Sequence, residues 1–189
     1  MIKDNNYAFI DSQNLNLGVQ SVGFKIDWRK FRQFLTNNYG VEKAYMFIGY
    51  IEANENLYEY MYELGYLVVL KPTIDFKSNE EENDVHQHKA HEPITSPAKQ
   101  TTKGNIDADL VLHVMKELNN FNQAVIVSGD GDFYSLIEYL IQINKLKNLM
   151  TPNWKSSTLL KPFEEYIVRL DKYKQKLAYR EHRTRKPKI

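Results

Sequence analysis

Four aspartates in this 189-residue chain stand where acidic side chains do chemistry. Asp11 ends the apolar run Tyr7-Ala8-Phe9-Ile10, and Asp130 and Asp132 follow Ala124-Val125-Ile126-Val127 within Ser128-Gly129-Asp130-Gly131-Asp132. Asp107 lies in the first turn of a helix expected from Ile106. Carboxylates converging on one point repel, and burying an unpaired charge costs several kcal/mol, so such a cluster persists with a cation to neutralise it. Oxygen donors of this hardness select Mg2+ or Mn2+. Taken singly, the same residues have ordinary uses. Asp132 and Asp107 suit helix caps, and Asp130 between two glycines suits a turn. Taken together, with strand-end positions shared by Asp11 and the Asp130/Asp132 pair, they read as a cation site. Asp109 is a separate case, because residues two apart on a helix point about 200° away from each other. It is either a supporting group on a distorted first turn or a solvated surface charge.

Short strands alternating with amphipathic helices would position these groups. The expected strands are Tyr7–Ile10, Ala44–Ile48, Tyr66–Leu70 and Ala124–Val127, each a compact apolar run, and Leu146–Met150. Between them, Asp27 is placed to cap a helix carrying Trp28, Phe31, Phe34 and Leu35 that Gly40 closes, and Asn54 to Leu64 forms another, stopped by Gly65. Ile106 to Leu118 and Leu136 to Ile141 complete the set. The alternation predicts an α/β domain with a mainly parallel sheet of about five strands. In such a sheet ligands bind beyond the carboxyl ends of the strands, where the strand order reverses. Residues 72–104 have no apolar period and read as an insertion loop. From Phe163 to Arg180, apolar residues at helical spacing predict an amphipathic C-terminal helix running into a basic tail. The expected division is therefore a domain over 1–158 and a helix with tail over 159–189.

Composition narrows the classes further. Cys is absent, which excludes disulfides, zinc–thiolate sites and thiol catalysis. No apolar run approaches the roughly 18 residues that cross a bilayer, and Met1-Ile2-Lys3-Asp4 leads into no signal-peptide core, so a cytoplasmic location is expected. The net charge of +1 conceals an asymmetry. From Arg169 onward nine Lys/Arg face two acids, a surplus of seven positive charges that leaves residues 1–168 at −6. An acidic body with a basic tail points to a polyanionic partner.

Three blocks carry a resemblance. Phe9-Ile10-Asp11-Ser12-Gln13-Asn14-Leu15, Lys103-Gly104-Asn105-Ile106-Asp107-Ala108-Asp109-Leu110 and Val125-Ile126-Val127-Ser128-Gly129-Asp130-Gly131-Asp132-Phe133 together resemble the NYN domain, of the LabA-like branch of the PIN-like nuclease superfamily. The resemblance implies a PIN-like Rossmannoid three-layer α/β sandwich and a divalent-metal-dependent ribonuclease acting on RNA. By motif, Asp11, Asp107, Asp130 and Asp132 match the family's acidic positions, and Asn14 and Ser128 its polar site residues. At Asp109 the family is expected to carry Glu as often as Asp. No role carries over to the insertion.

Phosphodiester hydrolysis needs an activated water and stabilised phosphoryl charge, which one or two Mg2+ or Mn2+ ions supply. Asp11, Asp107 and Asp130 are expected as ligands, with Asp132 adjacent. Asn14 would orient a carboxylate or phosphate oxygen, Ser128 offers a hydroxyl, and Gly129 and Gly131 would bring backbone N–H groups to a phosphate. RNA phosphates would meet Lys103 and the tail cations Lys172, Lys176, Arg180, Arg183 and Arg185. The plainer role of that tail is a solubilising helix with a frayed end. His86, His88 and His91, without Cys beside them, read as solvated loop, and His113 as a packed helix residue. Trp154 beside Lys155 either stacks on a base or packs on the protein, packing being the favoured reading. A homodimer is one possible assembly, which the sequence leaves open. Two other functions compete with the ribonuclease. A non-catalytic RNA-binding module gains nothing from an acidic pocket. A phosphohydrolase using Asp11 as nucleophile calls for an aspartate at position 13, which is Gln.

Overall fold

In the computed structural model, residues 5–50, 52–71 and 106–180 are described. The insertion over 72–104, with Lys103 and the three loop histidines, lies outside the described residues, as do Arg183 and Arg185. The first strand, β1 (Asn6–Asp11), is buried along its whole length and lies near the middle of the sheet. It is followed by α1 (Ser12–Gln20), α2 (Trp28–Tyr39), β2 (Val41–Gly49), α3 (Glu55–Glu63) and β3 (Tyr66–Lys71). After the insertion come α4 (Ile106–Glu117), β4 (Ala124–Val127), α5 (Tyr134–Gln142), β5 (Leu146–Thr151), β6 (Ile167–Arg169) and α6 (Lys174–Leu177). The six strands pair in parallel throughout, in the order β3-β2-β1-β4-β5-β6.

The pleat sorts apolar side chains into two cores. Ala8 and Ile10 of β1 face one core with Leu15 and Val19 of α1 and Phe31 and Leu35 of α2. Tyr7 and Phe9 face the other, with Leu110 and Val114 of α4 and Leu136, Ile137 and Leu140 of α5. Helices thus cover both faces of the sheet, the arrangement a parallel sheet requires because its strands are apolar on both sides. The expected helix boundaries rest on visible capping chemistry. Asp27 accepts from the Lys30 N–H at 3.1 Å, and Gly40 closes α2 in the left-handed conformation at φ 61°.

Two expectations are corrected. Ser12-Gln13-Asn14, read as a polar loop, opens α1, with Asp11 as its N-cap. The stretch from Phe163 to Arg180 is not one amphipathic helix. It runs as a 3-10 segment through Tyr166, the strand β6, a second 3-10 turn and the single-turn α6. The β-branched pair Ile167-Val168 favours a strand, which interrupts any helix across this stretch. β6 joins β5 in register, Leu149 opposite Ile167 and Thr151 opposite Arg169, so the sheet extends past residue 158. Phe163, Leu170 and Leu177 are buried all the same, each on a different element. Among the described residues no helix is long and apolar enough to cross a membrane.

Candidate metal centre

The strand order reverses between β1 and β4: β2 lies on one side of this pair and β5 on the other. Ile10 pairs with Val127, so Asp11 and Ser128 emerge side by side at the carboxyl end of the sheet. The Ser128 hydroxyl donates to Asp11 Oδ2 at 3.2 Å. Ser128 Oγ in turn accepts the Asp130 N–H at 3.2 Å. Asp11 Oδ1 accepts the Asn14 N–H at 3.0 Å, the cap of α1. Both carboxylate oxygens are therefore directed by bonds from two separate elements.

Asp107, Asp130 and Asp132 converge in front of this frame, with one carboxylate oxygen from each lying within 4.8 Å of the others. Asp107 reaches the cluster from the first turn of α4. Asp130 caps the 3-10 turn that follows β4, its Oδ1 accepting the Asp132 N–H at 3.0 Å. Asp11 is not one of the three. It is buried beside them, and its carboxyl is held above the ordinary carboxylate range, chiefly by burial and further by the charges of Asp107 and Asp130, against the opposing bonds from Asn14 and Ser128. Two unit charges 4 Å apart repel by about 1 kcal/mol in water and about 4 kcal/mol at an effective dielectric near 20. A divalent cation among the three carboxylates would offset that repulsion. The donor set is all oxygen and acidic, which fits Mg2+ or Mn2+.

The neighbouring residues divide as helix geometry demands. Asp109 points away from Asp107 and pairs with Lys71 at the end of β3, Oδ2 to Nζ 3.0 Å. It is a partly exposed charge with a cation partner and is not among the three clustered carboxylates. His113 lies one turn further along α4, with Nδ1 2.9 Å from the Asp109 carbonyl and its ring against Tyr45 and Phe47. This is the packed role expected of it.

Asn14 and the glycines do something other than expected. The Asn14 side chain accepts the Gly129 N–H at 2.8 Å, so that amide is engaged within the protein and not turned to a ligand. Asn14 thereby holds α1 and the loop after β4 together, while its backbone N–H orients Asp11. Gly131 is required by close approach. A Cβ there would lie 2.5 Å from Ser157 Oγ and 2.9 Å from Leu159 Cδ1. Sequence reasoning missed this second support, the loop after β5. Its anchor is Asn153, 5% exposed, whose Nδ2 donates to the Gly18 carbonyl at 2.7 Å. The Ser157 N–H then donates to the Gly129 carbonyl at 2.9 Å. The one available signal was the run of turn residues Thr151-Pro152-Asn153 after an apolar strand.

Of the cations expected to meet phosphate, Lys172, Lys176 and Arg180 are exposed. Trp154, expected to pack, is 57% exposed.

An all-parallel, six-stranded α/β sandwich with carboxylates gathered at the β1/β4 crevice defines a PIN-like protein. The NYN domain pattern matches residues 7–170, most of the chain, and the chain belongs to the NYN family. It is 25% identical over 136 residues to the low amplitude and bright protein LabA of Synechococcus elongatus, a stretch that is 70% of this chain and 65% of that protein. The chain thus spans just under two thirds of the length of that relative. Its fold is like that of a crystal structure of a protein of unknown function from Vibrio parahaemolyticus, with a TM-score of 0.65 at 18% identity, covering 90% of this chain and 96% of the other.

Proposed function

We propose that the protein is a divalent-metal-dependent ribonuclease that hydrolyses phosphodiester bonds at the β1/β4 crevice. The observation that carries this is the convergence of Asp107, Asp130 and Asp132 within 4.8 Å beside a buried Asp11. A protein that only binds polyanions has no use for such a pocket, and membership of the NYN family supports the same conclusion. Asp107, Asp130 and Asp132 would hold Mg2+ or Mn2+, with Asp11 adding negative potential from behind. When bound, the ion supplies charge neutralisation at the phosphoryl oxygens and acidifies a water.

The chain's own groups set the geometry. Ser128 and the Asn14 N–H fix the Asp11 carboxylate, Ser128 also ties the Asp130 backbone, and the Asn14 side chain locks the loop that carries both acidic residues. Preorganisation of this kind places charge without reorganisation at the moment of reaction. Lys172, Lys176 and Arg180, with Lys103, Arg183 and Arg185, would meet RNA phosphates. The test is incubation of single-stranded and structured RNA with Mg2+ or Mn2+, comparing wild type, Asp11→Asn and Asp130→Asn. Wild type cleaves, and each variant loses on the order of 100-fold or more in rate. Equal cleavage by all three contradicts the proposal.

A further inference from the structure

We infer that the pocket beside Trp154 is a subsite for one unpaired nucleobase of a single-stranded RNA, an inference that rests on RNA being the ligand of the neighbouring centre. The pocket measures about 450 Å³ and is lined by Trp154, Ser157, Lys161, Glu164, Ile167 and Arg169. Volumes of this size accept an aromatic heterocycle. The exposure of Trp154 has a local cause. Asn153 is pinned inward through Gly18, and its Oδ1 accepts the Lys155 N–H at 2.6 Å, which sends the intervening side chain outward.

Two cations flank the indole. Arg169 Cζ lies 5.6 Å from the ring centroid and Lys155 Nζ 6.0 Å from it. Arg169 does not swing freely, because Asp171 holds it at two points, Nε to Oδ1 3.1 Å and Nη2 to Oδ2 2.6 Å. An exposed indole with cations over its ring supplies what binds single strands: aromatic and guanidinium planes for a base, and positive charge for the phosphates on either side. Glu164 gives the pocket an acceptor for a base amino or imino group. A base inside a duplex has no free face to offer, so the pocket selects unpaired strands.

The pocket shares a wall with the loop that bears Asp130 and Asp132. Ser157, in its wall, donates its N–H to the Gly129 carbonyl and fills the space a Gly131 side chain would occupy. A strand stacked at Trp154 therefore continues over Ser157 onto the loop bearing Asp130 and Asp132.

The test uses the full chain in EDTA, where metal-dependent cleavage is silent. Fluorescence anisotropy measures affinity for a labelled single strand of about ten nucleotides and for a fully paired duplex of the same length. Trp154→Ala weakens single-strand binding about tenfold, Trp154→Phe keeps it within about threefold of wild type, and duplex affinity is the same in all three. In a Trp28→Phe chain, where Trp154 is the sole indole, the single strand quenches its emission. Single-strand affinity unchanged by Trp154→Ala, an equal loss for the duplex, or no quenching overturns the inference. Failure here is distinct from failure of the nuclease: a protein that binds through Trp154 without ever cutting upholds the subsite alone, and one that cuts while Trp154→Ala binds normally upholds the nuclease alone.

Discussion

The Ser128 hydroxyl donates to Asp11 Oδ2 at 3.2 Å, joining residues 117 positions apart at the ends of two adjacent parallel strands. Because Ser128 Oγ in turn accepts the Asp130 N–H, one small side chain connects the buried carboxylate to the clustered ones. Ser128→Ala leaves a buried carboxylate oxygen and a backbone N–H without that partner. Urea unfolding should report a loss of about 1–3 kcal/mol. Ser128→Thr, which keeps the hydroxyl, should lose less if the extra methyl fits beside the buried Val127.

Burial and the neighbouring carboxylates oppose the charge of Asp11, so its ionised form is a cost to the metal-free fold. Asp11→Asn keeps the shape and removes the charge. In EDTA at neutral pH the variant should therefore have a higher Tm than wild type. With Mn2+ the order should narrow or reverse, because bound metal stabilises only the chain that attracts it well. A lower Tm for Asp11→Asn in EDTA would mean that the bonds from Asn14 and Ser128 outweigh desolvation.

Asp107 and Asp109 separate two roles on one helix turn. Asp107→Asn should weaken Mn2+ binding about tenfold or more in a calorimetric titration, since one of three clustered carboxylates is lost. Asp109→Asn breaks a partly exposed ion pair with Lys71 and should cost less than about 1 kcal/mol of stability while leaving Mn2+ affinity unchanged.

Tyr66 is buried, donates its hydroxyl to the Trp28 carbonyl at 2.8 Å, and has its ionisation pushed far above the ordinary tyrosine value by burial. The unfolded chain releases that proton above about pH 10 while the folded chain retains it, so stability falls as pH rises beyond that point. Urea midpoints from pH 8 to 11 should show this decline. Tyr66→Phe should flatten it, at a cost near neutrality of about 1 kcal/mol for the lost hydrogen bond.

Much of the frame was legible in residue order because local chemistry decides it. The run Ala124-Val125-Ile126-Val127 is β4 to the residue, and Asp27 and Gly40 bound α2 as their side chains require. The positions of Asp11, Asp107 and Asp130 at element ends follow from the same pattern. What was not legible depends on long-range contact. Ser12-Gln13-Asn14 looks like a loop until Asp11 is recognised as a cap and Leu15 and Val19 as one buried face. The helical spacing of Phe163, Leu170 and Leu177 misled because two 3-10 turns and the single-turn α6 bury the same positions. Neither the Lys71–Asp109 pair nor the engagement of the Gly129 amide by Asn14 has a local signature.

Asp107, Asp130 and Asp132 are proposed to form a divalent-cation site. Its most direct test is a crystal of the full chain soaked in Mn2+, with data collected at a wavelength where manganese scatters anomalously. An anomalous peak is expected about 2.0–2.3 Å from carboxylate oxygens of these three residues, and it should disappear in Asp130→Asn. A crevice without a peak, or with a peak bound by none of the three, would contradict it.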